Sequence, residues 1–149
     1  MSGEHKIIAY ELLSRRDIRS LIFHYIYAME GFDHTVLLST IVDRFNRGFY
    51  FAVPLDSEAV VTAQSVIDAR ESLDTIITPL LANWRLERIG LCTKIILRVA
   101  IFELQNKDTP SSIVINEAIE LAKCFSEKDA YRFVNGVLDE FCKARESTE

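Results

Sequence analysis

The sequence predicts an all-α fold. Five glycines and three prolines among 149 residues are too few for the turn-rich pattern of an all-β chain. Apolar residues also recur at three- and four-residue spacings along most of the chain, the period of helices that bury one face. With 49% hydrophobic residues, the chain is expected to form one domain, 1–149, large enough to enclose a core. The expected architecture is a compact bundle of about seven helices in two packed groups, 1–83 and 84–149.

In chain order, residues 5–13 (HKIIAYELL) form a short helix or an arm. Ser14 then supplies an N-cap, with Asp17 as its reciprocal partner and Arg15 and Arg16 in the first turn. This helix runs to about Glu30, buries Ile18, Leu21, Ile22, Tyr25 and Ile26, and stops at Gly31. Arg15, Arg16 and Arg19 are left facing water. A second helix, near 34–48, buries Leu37, Leu38, Ile41, Val42 and Phe45. The connection Gly48-Phe49-Tyr50-Phe51-Ala52-Val53-Pro54 either exposes its aromatics for stacking or tucks them into the core, the commoner arrangement and the preferred one. From Asp56 or Ser57 the longest helix is expected, with a stripe at Val66, Ala69, Leu73, Ile76 and Leu80 and a kink or end at Pro79.

The stretch from Trp84 to Asp139 organises the second half. Between Leu91 and Leu104 the apolar residues fall on nearly every side of a helical wheel, so this helix is expected to be enclosed by others. Arg98 interrupts it, and a charge in such surroundings needs a partner, for which Glu117 is the expected choice. Lys107 to Pro110 breaks the helix, and Ser111 or Ser112 is available to cap the next, near 113–125, with Ile115, Ile119, Ala122 and Phe125 on its apolar side. Ser126, three residues before Asp129, reads as the capping box of a last helix with Ala130, Phe133, Val137, Leu138 and Phe141 buried. Gly136 inside that helix costs about 1 kcal/mol relative to alanine, and close packing of another helix against it is the expected compensation.

A formal charge of −5 argues against indiscriminate coating of nucleic acid. The positive excess is local, greatest at 84–98, which holds four basic residues and one acidic. Cys92, Cys124 and Cys142 are odd in number and far apart, which suggests neither a disulfide framework nor a metal site and fits a reducing compartment. No apolar run approaches the ~20 residues of a membrane span, so a cytoplasmic protein is expected. His5, His24 and His34 are scattered, His24 sits among Phe23, Tyr25 and Tyr27 without an obvious acid or nucleophile partner, and no phosphate-cradling glycine motif occurs. Neither a catalytic role nor a cofactor is suggested.

Four segments, W-x-L-x-R-I, I-L-R-x-A-x-x-E-L, I-N-E-A-I-E-L-A-K and F-V-N-G-V-L-D, occur in this order between Trp84 and Asp139. Together they resemble the NusB family of bacterial transcription antitermination factors, and Arg15-Arg16-x-x-Arg19 followed by Tyr27 resembles that family's arginine-rich first helix. The resemblance implies an all-helical, non-enzymatic protein of the RNA polymerase antitermination complex. It also implies binding of boxA-like single-stranded RNA with ribosomal protein S10 (NusE) during ribosomal RNA synthesis. Arg15, Arg16, Arg19, Tyr27, Asp129, Arg132 and Phe133 fall where the family places RNA-facing side chains. Asp17 dilutes the arginine motif, which implies weak RNA binding by the chain alone. A helical scaffold of the same fold that binds only protein is the alternative.

Physical chemistry gives those positions a rationale. A helix start offers unpaired N–H groups and partial positive charge, which suit a phosphate, and Lys128 and Arg132 add full charges beside one start as Arg15, Arg16 and Arg19 do beside the other. Tyr27, Tyr131 and Phe133 offer aromatic faces for bases, although Phe133 is also a candidate for the core. Asp17 and Asp129 repel phosphate, but Asp129 can accept a base amino group and so favour one sequence over another. On residue types alone, ordinary solvated arginines are the commoner explanation of the first cluster. The resemblance reverses that preference.

Overall fold

The structure, a computed structural model, describes residues 6–148. His5, the first residue of the expected arm, lies outside them. Seven α-helices occur among the described residues: α1 Arg15–Gly31, α2 Leu38–Phe49, α3 Glu58–Asp68, α4 Arg70–Ile77, α5 Leu91–Asn106, α6 Ser111–Phe125 and α7 Ala130–Thr148. Two short strands, β1 (Ile8–Ala9) and β2 (Phe51–Ala52), pair in parallel, with Ile8 opposite Phe51. By contacts the chain divides into two units, one ending at Ile67 and one beginning at Asp68.

The division falls earlier than residue 83 because the expected long helix is two helices. Ala69, at φ −94° and ψ 8°, separates α3 from α4, and a 3-10 turn at Thr78–Leu80 follows. Val66 and Leu73 are buried as expected, but Ile67 and Ile77 join them instead of Ile76 and Leu80.

In the first unit the capping box forms: the Asp17 N–H donates to Ser14 Oγ at 3.0 Å and the Ser14 N–H to Asp17 Oδ2 at 3.1 Å. The five expected apolar residues of α1 are buried, with Phe23 and Met29 besides. Leu37 is 74% exposed, because it precedes α2 as its N-cap instead of lying on its buried side. The aromatic connection departs from the preferred expectation. Tyr50 ends α2 in the left-handed region, and Phe49, 59% exposed, stands between Phe45 and Phe51 in a chain of ring contacts at 5.5 and 6.2 Å. The residues 8–12 form β1 and a 3-10 turn. This arm is fastened by the Ile8 N–H to Tyr50 O at 2.7 Å, while Tyr10 Oη accepts the Ala59 N–H at 3.2 Å.

The second unit is built on α5, which contacts α4, α6 and α7 and therefore has apolar residues all round. Ile95, Ile96, Leu97 and Ile101 are essentially inaccessible. Arg98 is buried with them, and its Nε and Nη2 donate to Asp74 Oδ1 and Oδ2, each at 2.7 Å. The acid that takes this planar fork is Asp74, a partner that the sequence did not single out. Periodicity marks which residues are buried but not which of several acids lies opposite. Pro110, not a serine, occupies the N-cap of α6, and that helix buries Val114, Ala118 and Ala122 while Phe125 is exposed.

Gly136 also differs from expectation. A Cβ built there meets nothing within 4 Å, and Gly136 and Asn135 are both exposed. Gly136→Ala is therefore expected to stabilise the fold by about 0.5–1 kcal/mol through helix propensity, read as a higher midpoint in urea denaturation. For the buried pair, Asp74→Ala is expected to cost about 3 kcal/mol by removing the carboxylate that takes the two-point contact of the buried guanidinium. In a double-mutant cycle with Arg98→Ala the two losses are expected to be non-additive by at least about 0.5 kcal/mol.

Candidate nucleic-acid interface

At the start of α1 the three arginines have different fates. Arg15 is exposed and forms a bidentate pair with Glu58, its Nη2 donating to Oε1 at 2.8 Å. The Arg15 hydrogen bond holds the Glu58 carboxyl below its usual range against partial desolvation, and the charges of Arg15 and Arg19 add to this. Both partners are more than half exposed, so the pair adds little stability, at most about 1 kcal/mol. Arg16 is exposed, as expected. Arg19 is not: it is only 6% accessible, beside the buried Ile18 and Ile22 and close enough to lower the Glu58 pKa. An arginine can bury its aliphatic stem this way when an acid is near its head. Tyr27 is 47% exposed and stacks on Phe23 with centroids 6.2 Å apart, but eleven residues on from Arg16 it stands roughly 16 Å along the helix.

At the start of α7 the expected residues come together. Ser126 is not the cap of this helix. It ends α6, and its Oγ accepts a hydrogen bond from Thr93 Oγ1 at 3.2 Å. The chain then turns through Asp129, whose φ of 66° is left-handed, a conformation that aspartate and asparagine tolerate better than most residues. Helix α7 follows at once, with the Arg132 N–H donating to Asp129 O at 3.1 Å.

Arg132 is exposed and lies over the Tyr131 ring at 5.7 Å, its Nε donating to Tyr131 Oη at 3.2 Å. Lys123 lies over the same ring at 5.1 Å. Phe133 is half-buried and meets Trp84 edge-on at 6.4 Å, and Trp84 is 60% exposed. Trp84 and Phe133, with Arg88, Lys128, Asp129 and Arg132, line a cleft of about 400 Å³. Gly90 also lines it, and a Cβ there would stand 3.0 Å from Glu127 Oε1. The arrangement can hold an anion on its rim and a flat apolar group against its aromatics.

The NusB family model matches residues 16–143, most of the chain. The chain belongs to the NusB family. One relative, the transcription antitermination protein NusB of Macrococcus caseolyticus (strain JCSC5402), is 35% identical over 135 residues, covering 88% of this chain and 98% of that one. Among solved structures, NusB of T. maritima superposes with a TM-score of 0.75 at 29% identity, over 88% of this chain and 92% of that one. A chain in the crystal structure of a plectonemic RNA supercoil has the same fold, with a TM-score of 0.77 at 22% identity over 91% of this chain and 98% of that one.

The NusB family is one of transcription antitermination factors, not enzymes. Among the described residues of this member, no three His, Cys, Asp or Glu side chains are grouped to hold a metal ion, and no helix is long and apolar enough to cross a membrane. Of the NusB-like site residues named from sequence, Asp129, Arg132 and Phe133 share one cleft. Arg15, Arg16, Arg19 and Tyr27 lie on α1, and of these Arg19 does not face water.

Sequence reasoning missed Trp84 and Arg88 as part of the cleft. Both sit in the W-x-L-x-R-I segment, and the signal available was the chain's only tryptophan beside the basic excess at 84–98. Arg19→Ala is expected to lower stability by about 1–3 kcal/mol because it removes a buried charged partner, whereas Arg16→Ala stays within about 0.5 kcal/mol. Urea denaturation of the two variants checks this contrast.

Proposed function

We propose that this NusB-family chain binds boxA-like single-stranded RNA in the cytoplasm. Ribosomal protein S10 (NusE) is its partner, within the RNA polymerase antitermination complex that acts on ribosomal RNA transcription. The observation that carries this reading is the start of α7, where exposed Arg132 and Lys128 surround a cleft with aromatic walls in a chain of net charge −5. Family membership supports it. A cluster of cations with aromatic faces suits a flexible single strand, whose bases are splayed and whose phosphates are close by.

In this reading Arg132 and Lys128 take phosphates at the start of α7 and Arg16 takes one at the start of α1. Arg15 contributes less, because a phosphate must compete with Glu58, and Arg19 acts on the fold more than on the strand. Tyr27 and Phe133 serve as aromatic contacts. Asp129 opposes binding by charge while favouring bases that donate to it. NusE strengthens an intrinsically weak complex, and the basic segment 84–98 with its neighbouring helices is the candidate docking region for it.

The test is a binding titration with a boxA-like strand at several salt concentrations, with and without NusE. Each phosphate contact on a single strand contributes about −0.7 to the slope of log affinity against log salt, so Arg132→Ala is expected to flatten the slope by roughly that amount. Asp129→Asn is expected to raise affinity, since it removes the repelling charge and keeps a side chain suited to the left-handed turn. Absence of binding under both conditions would replace this reading with a protein-only scaffold.

A further inference from the structure

We propose that the cleft at the start of α7 holds one nucleobase, stacked on Trp84, and that the Asp129 and Glu127 carboxylates favour bases carrying an exocyclic amino group. This rests on the RNA reading above and names the part of the strand that the site reads. Trp84 leaves 60% of its surface in water although it is among the most apolar of side chains, and Phe133 braces it edge-on. A braced, exposed aromatic is a pre-organised platform, since little side-chain freedom remains to be lost when a ring stacks on it. Single exposed apolar residues are common and need no ligand. Here, however, the indole borders a cleft of about 400 Å³, within the range of about 300–1,000 Å³ typical of small-ligand sites.

The polar groups at the cleft complete the match. Arg88, Lys128 and Arg132 suit the phosphates on either side of an inserted base. Glu127 and Asp129 line the same cleft as acceptors without donors. Adenine, cytosine and guanine each offer an exocyclic amino group to such an acceptor, whereas uracil has only its N3–H, flanked by two carbonyl oxygens that a carboxylate repels. The carboxylates thus lower affinity for any strand while separating the bases.

Because Trp84 is the only tryptophan, its emission reports this cleft alone. Fluorescein-labelled oligo(C) and oligo(U) of equal length are titrated with the full chain at one ionic strength, and anisotropy and tryptophan emission are followed together. Emission is expected to change in step with anisotropy. Trp84→Ala is expected to weaken binding roughly 5- to 100-fold with an unchanged salt slope, and Trp84→Phe to retain most of the affinity. Oligo(C) is expected to bind more tightly than oligo(U), and Glu127→Gln with Asp129→Asn to remove the difference. Circular dichroism of each variant verifies the fold. Anisotropy showing RNA bound while Trp84 emission stays constant, or Trp84→Ala binding like the parent, overturns the stacking site and leaves the RNA reading standing. Equal affinity for the two strands in the parent overturns the base selection. Failure of both strands to bind overturns the RNA reading and this inference together.

Discussion

The enclosure of α5 is the constraint on which the second unit depends. A helix apolar on every side can be stable only if neighbours cover all of it, and α4, α6 and α7 do so. That demand accounts for the Arg98–Asp74 pair. An arginine placed on such a helix meets other helices whichever way it turns, so it must bring a carboxylate in with it. The planar two-point geometry allows one relative placement of α4 and α5 and disfavours others, because displacement by a few ångströms would strand a charge.

The candidate interface inherits its geometry from the same helix. Thr93, one turn into α5, donates to Ser126, and so ties the end of α6 to α5 just before the chain reverses. The reversal through Asp129 is tight because that residue is left-handed, which leaves α7 to begin immediately with Arg132 and Phe133 in its first turn. Phe133 then meets Trp84 from the segment that leads into α5. A residue before α5 and a residue after α6 therefore become neighbours through the packing of the second unit, although nearly fifty positions apart in sequence.

What was legible in the sequence follows from how local each signal is. The capping box at Ser14 and Asp17 and the enclosed character of α5 depend on neighbouring residues, and both appear in the structure. The break at Ala69 carries no proline or glycine, so nothing local announces it, and the apolar periodicity continues straight through it. Partners distant in sequence were harder still. Asp74 opposite Arg98 and Glu58 opposite Arg15 are pairings that tertiary structure selects from many acids. Arg19 illustrates the limit: residue type placed it in water, and the helix register placed it beside Ile18 and Ile22. Phe49 departs in the opposite sense, since apolar character predicts burial and the ring is exposed.

Gly90 adds an evolutionary consequence. The group that a side chain at this position would meet is the far end of Glu127, a long exposed side chain that can swing aside at little cost. A drift from glycine to alanine would therefore cost little in packing, its main cost to the fold being a poorer N-cap for α5. It would nonetheless move a negative charge within the cleft beside Trp84, so that ligand preference would shift through a change at an uncharged residue.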